Sequence, residues 1–121
     1  METPYQTGSG SKAAIHGHPL HPLLVPLPIG ILAACLASDL AFYATGDPFW
    51  ARGSYWLLVA CLVTGLLAGL SGLIEILGVE RARTMGMAWA HGLGNVLALA
   101  LAAVNLFLRH AISKMPSCPQ A

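Results

Sequence analysis

Charge is what this chain has least of. Its 121 residues include six Lys or Arg and five Asp or Glu, 9% in all, for a formal net charge of +1. A water-soluble domain carries about a quarter charged residues, so these side chains cannot supply a wetted surface. The basic residues, Lys12, Arg52, Arg81, Arg83, Arg109 and Lys114, are scattered and form no stripe for a nucleic-acid backbone. Nucleic acid is set aside as a partner. Cysteine is scarce as well. Cys35, Cys61 and Cys118 make no Cys-x-x-Cys pair, which excludes a zinc ribbon and a thioredoxin-like site. The first two lie inside apolar runs and read as small hydrophobes. The opening METPYQTGSGSK lacks the basic-then-apolar order of a cleavable signal peptide, so the helices themselves are expected to direct insertion.

What is abundant is apolar. Hydrophobic residues make up 56% of the chain and the mean hydropathy is +0.68. Three runs, Leu23 to Thr45, Ser54 to Gly78 and Met85 to Leu108, contain no Lys or Arg and at most one acidic residue each. Each is close to the roughly 20 residues that cross a hydrocarbon core as a helix. The expectation is an all-α polytopic membrane protein, with the lipid bilayer as its first partner. A polar tail covers residues 1–14 and a transmembrane domain 15–111, with helices near 22–45, 54–78 and 85–110; a second tail covers 112–121. The links Gly46–Gly53 and Val79–Thr84 are short, which forces neighbours antiparallel and gives a three-helix up-down-up bundle. Basic residues divide three against three between the two faces, so the positive-inside rule does not orient the bundle. Trp50, Tyr55 and Trp56 mark one interface.

Prolines at 19, 22, 26 and 28 crowd the entrance of the first helix. Residues before proline are pushed away from α geometry, so either a kinked helix starts at Pro22 or an extended lead-in precedes a helix from Pro28. A helix from Pro22 to Tyr43 spans roughly 33 Å and fits a bilayer better. The kinked form is preferred.

The densest polar signal is His16-Gly17-His18-Pro19-Leu20-His21-Pro22, three imidazoles in six residues where the chain enters the membrane. Imidazole is the commonest metal ligand, and proline lowers the entropy of presenting it. The bland reading is that histidines sit well at an interface and prolines start helices. A second group emerges once the topology is folded. Glu75 lies about one turn from the N-tail face, His91 about two turns in and Asn95 one turn deeper. Ser71 with Glu75, and His91 with Asn95, are spaced i, i+4 and share a helix side. His18, His21, Glu75, His91 and Asn95 can therefore converge on one pocket. Ionisable groups at such depth are costly and read as a site; the competing reading is a hydrogen-bond knot that holds helices together.

On the ligand reading, haem b or a metal ion is held by His18, His21 and His91 as candidate ligands, with Glu75 and Asn95 behind them. For a bis-histidine haem, His91 supplies one axis and His18 or His21 the other. Asp39 belongs at the far end of helix one, where a capping role or an ion pair with Arg52 is expected. Gly65, Gly69 and Gly72, and Gly86, Ala90 and Gly94, make two small-residue faces that let backbones approach. No nucleophile beside a base, and no acid pair at catalytic spacing, is visible, which argues against an enzyme.

The segment IHGHPLHPLLVPLPIG, the SDL at 38–40, the SGLIE at 71–75 and the HGLGN at 91–95 resemble an uncharacterised bacterial membrane-protein family, domain of unknown function 2231. The resemblance covers roughly residues 15–108. It implies that His18, His21, Asp39, Glu75, His91 and Asn95 are the polar positions typical of the family, with Asp more usual than Glu at 75. It also implies the bacterial cytoplasmic (inner) membrane as location and, through relatives fused to Rieske or cytochrome domains, electron transfer. The family usually has four helices where this chain offers three. A second copy or a partner membrane or redox subunit is therefore expected in a groove beside one of the two small-residue faces. The alternative role is a non-redox structural anchor or assembly subunit.

Overall fold

A computed structural model of the protein describes residues 14–15 and 18–115. A two-residue antiparallel pairing of β1 (Ala14–Ile15) with β2 (His18–Pro19) precedes five helices. These are α1 (Leu20–Leu24), α2 (Pro26–Thr45), α3 (Pro48–Gly78), α4 (Glu80–Arg83) and α5 (Gly86–Ser113). Three helical stretches, Leu20–Thr45, Pro48–Gly78 and Gly86–Ser113, are long and apolar enough to cross a membrane.

The proline-rich entrance is helical earlier than expected. Helix starts at Leu20, two residues before Pro22, and is interrupted at Val25 rather than deferred to Pro28. Val25 keeps right-handed helical angles (φ −57°, ψ −40°) and donates its N–H to His21 O at 3.0 Å. Pro26 and Pro28 have no N–H to donate, so the ladder breaks there.

The first connection is shorter than the Gly46–Gly53 expected. Only Gly46 and Asp47 lie outside helix. Gly46 takes φ +70°, a conformation that a side chain would strain, and its N–H caps α2 on Phe42 O at 2.7 Å. Asp47 then accepts from Phe49 N at 2.9 Å, with Pro48 in the first turn. Asp-Pro thus starts α3 as effectively as it stops α2. The helix gains residues 48–53 over the Ser54 start read from hydropathy, and at 31 residues it is about 46 Å long.

α3 is the central element. Its buried residues, Ser54, Leu58, Cys61, Gly65, Ala68 and Ser71, recur every three or four positions and make one continuous stripe. All but Leu58 are small. Lipid tails are as apolar as leucine, so close backbone approach rather than large side-chain burial holds membrane helices together. α1, α2 and α5 all pack on α3, and α2 meets α5 mainly through it.

Contacts pair residues in reverse order along the chain. Ser38 reaches Trp50, Cys35 reaches Ser54, and Pro28 reaches Cys61. On the other side Arg109 reaches Ser54, Leu99 lies against Gly65, and Gly92 faces Ile76. The two small-residue faces differ in use. A Cβ at Gly65 would lie 2.7 Å from Leu99 Cδ2, so that face is filled by α5 of the same chain and offers no groove. Gly86 and Gly94 have nothing within 4 Å. The remaining large apolar side chains, Leu36, Leu66, Leu70, Leu97 and Leu101 among them, point outward.

Candidate functional site

Two polar clusters lie at opposite ends of the bundle. The first is built around His21 in α1. Its Nδ1 donates to Ala68 O at 2.9 Å, and the Ser71 hydroxyl, which donates to the same carbonyl at 2.7 Å, lies 3.4 Å from that nitrogen. Gly72 makes room for the ring. A Cβ there would meet His21 Nδ1 and Cε1 at 2.9 Å. With the proton fixed on Nδ1, the lone pair of the neutral ring sits on Nε2. That arrangement, one nitrogen donating to a carbonyl and the other free to coordinate, is how ligating histidines are commonly held.

His91 of α5 stands edge-on to His21, with ring centroids 6.2 Å apart and planes at 84°. Its Nε2 accepts from Asn95 Nδ2 at 2.9 Å, one turn along the same exposed helix face. The proton on this ring is therefore on Nδ1. Glu75 is half-buried one turn beyond Ser71, and its Oε1 has no hydrogen-bond partner among the described residues. His21, Ser71 and His91 are thus brought together, and Asn95 engages His91. The side chain of His18 and all of His16 lie outside the described residues. Among the described residues no three of His, Cys, Asp and Glu gather as a metal-ligand group.

The second cluster corrects the expected partner of Asp39. The ion pair forms with Arg109, at 2.7 Å, and Arg52 has no part in it. Arg109 Nη1 also donates to Ser54 Oγ at 2.7 Å, its Nε donates to Asn105 Oδ1 at 2.7 Å, and the Ser54 hydroxyl donates to Asp39 Oδ1. Ser54 is fully buried, and its Oγ lies 3.2 Å from Cys35 Sγ. One guanidinium therefore ties α5 to both other long helices. The depth count that grouped Glu75 with His91 also groups these residues. Asp39 lies six positions before the end of α2, Ser54 six after the start of α3, and Arg109 four before the end of α5. Loop proximity favoured Arg52, but Arg52 projects from an exposed position instead.

No curated protein and no solved structure matches the chain. A family described as Predicted membrane protein (DUF2231) matches residues 17–119, which takes in both clusters and all three long helices. The chain belongs to this family of predicted membrane proteins.

Proposed function

We propose that the chain is an integral membrane module that crosses the bilayer up-down-up and binds haem b, or a metal ion, at the His21–His91 end for electron transfer. The reversed order of helix contacts supports the topology. The observation that carries the ligand reading is the His21 hydrogen bond to Ala68 O, 47 positions on in sequence, which fixes the proton on Nδ1 and leaves the lone pair on Nε2. His21 and His91 hold the group once Asn95 releases His91 Nε2, and Glu75 orients it. Haem b supplies one-electron redox chemistry when bound; the chain's own residues bind, orient and shield.

The test is an absorption spectrum of the detergent-purified protein after haem supplementation, oxidised and then dithionite-reduced. A Soret band that is lost in His21→Ala and in His91→Ala supports the reading. A colourless wild type with no bound metal overturns it. The second reading is a structural anchor or assembly subunit, favoured by the engagement of His91 Nε2 with Asn95. On either reading, the open Gly86 and Gly94 positions suit a second copy or a partner subunit.

A further inference from the structure

At the Asp39–Arg109 end, an open cleft of about 680 Å³ lies between the ends of α2 and α5 and the first turns of α3. We propose that this cleft binds the phosphate headgroup of an anionic glycerophospholipid. Its inner wall is the Asp39–Arg109 pair, in which each charge cancels the other. The charge left over belongs to Arg52, which lines the cleft, is exposed, and has no ion pair among the described residues. Across the cleft the Tyr55 hydroxyl and His110 Nδ1 are 3.4 Å apart. When the hydroxyl donates, the ring keeps an N–H at Nε2 for a phosphate oxygen.

The rest of the lining suits a lipid. Trp56 and Phe42 present aromatic surface at the level where headgroup meets acyl chain, and Trp56 is 66% exposed. Within one helical turn of lining residues, Leu36, Leu40 and Leu108 are exposed apolar side chains that suit acyl chains. A zwitterionic headgroup is served less well. Its own ammonium offsets the phosphate charge that Arg52 would meet, and the acid in the lining, Asp39, is already held by two guanidinium nitrogens. Inorganic phosphate shares the headgroup chemistry but leaves the aromatic and apolar walls unused.

The experiment is tryptophan quenching of the full chain in lipid nanodiscs by brominated phosphatidylglycerol or brominated phosphatidylcholine, with Trp56→Phe subtracted to isolate the reporter. An about fivefold preference for the anionic lipid is expected, the size of one arginine's pull at a charged interface. Arg52→Gln, a change at an exposed position, should bring the preference close to one. Lys114→Gln removes an exposed cation outside the cleft and should leave the preference intact. Equal quenching by both lipids overturns the proposal, as does a preference that survives Arg52→Gln or falls equally in Lys114→Gln. Loss of the preference on adding inorganic phosphate would assign the site to free phosphate and overturn the lipid.

Discussion

Arg109 holds Asp39 through two parallel hydrogen bonds, Nη1 to Oδ1 at 2.8 Å and Nη2 to Oδ2 at 2.7 Å, across 70 positions of sequence. The fork of a guanidinium matches a carboxylate in this way and no other side chain does so as well. The pair closes a bundle whose first and last long helices otherwise meet mainly through α3. Either charge alone inside the membrane is unfavourable, though by less than the roughly 2.5–3.5 kcal/mol found at a helix centre because both lie within two turns of a helix end, so the pair also favours one depth of α5 relative to α2.

Breaking one side of this pair should therefore destabilise the fold. Asp39→Asn and Arg109→Gln are each expected to cost about 1–3 kcal/mol, below the figure for a fully buried pair because the side chains are 36% and 27% exposed. The double variant should cost clearly less than the sum. Unfolding in mixed micelles measures all three, and costs that add within about 0.5 kcal/mol would show that the residues are not coupled.

Gly72 and Gly94 should respond oppositely to the same methyl group. Gly72→Ala forces the His21 ring to move, because the new Cβ falls 2.9 Å from two ring atoms. A loss of about 1–3 kcal/mol is expected, as for other overpacked sites. Gly94→Ala meets nothing within 4 Å and should be neutral or slightly stabilising in the monomer. Equal losses at both positions would contradict the packing of α1 on α3.

Gly65→Ala tests the contact between α3 and α5. Its Cβ would fall 2.7 Å from Leu99 Cδ2 and 3.7 Å from Pro28 Cβ. The variant should lose about 1–3 kcal/mol. Shortening the opposing side chain in Gly65→Ala/Leu99→Ala should restore part of that loss, and thermal unfolding in detergent reads the difference. No recovery would mean that the helices approach along another line.

Asn95 separates the two readings of the histidine cluster. If His91 coordinates through Nε2, Asn95→Ala removes a competitor worth roughly 0.6 kcal/mol, the mean for such bonds in membranes. Haem titration should then give about threefold tighter binding. Weaker binding would instead make Asn95 a supporting group, and unchanged absence of binding would favour the anchor.

The sequence alone determined the class of this protein. Scarce charge, three apolar runs and short Gly, Asp and Pro links leave a helical membrane protein as the one physical solution, since buried backbone groups in lipid must be paired within a helix. It also determined which residues are expensive, because Asp39, Glu75 and His91 stand out wherever the chain is placed. What it could not supply was rotation. Hydropathy is nearly uniform around a lipid-embedded helix, so no apolar stripe in α2 or α3 tells which side meets a neighbour, and the small-residue face of α3 does not say which neighbour fills it. The tertiary structure decided that Asp39 faces Arg109 and not the nearer Arg52, that Gly65 accommodates Leu99 of its own chain, and that His21 is pinned by a carbonyl on α3. It also moved the start of α3 to Pro48, because Asp47 caps the helix where polarity had suggested a loop. Each of these depends on packing between segments far apart in sequence, and packing is what apolar periodicity fails to report when both the neighbour and the solvent are hydrocarbon.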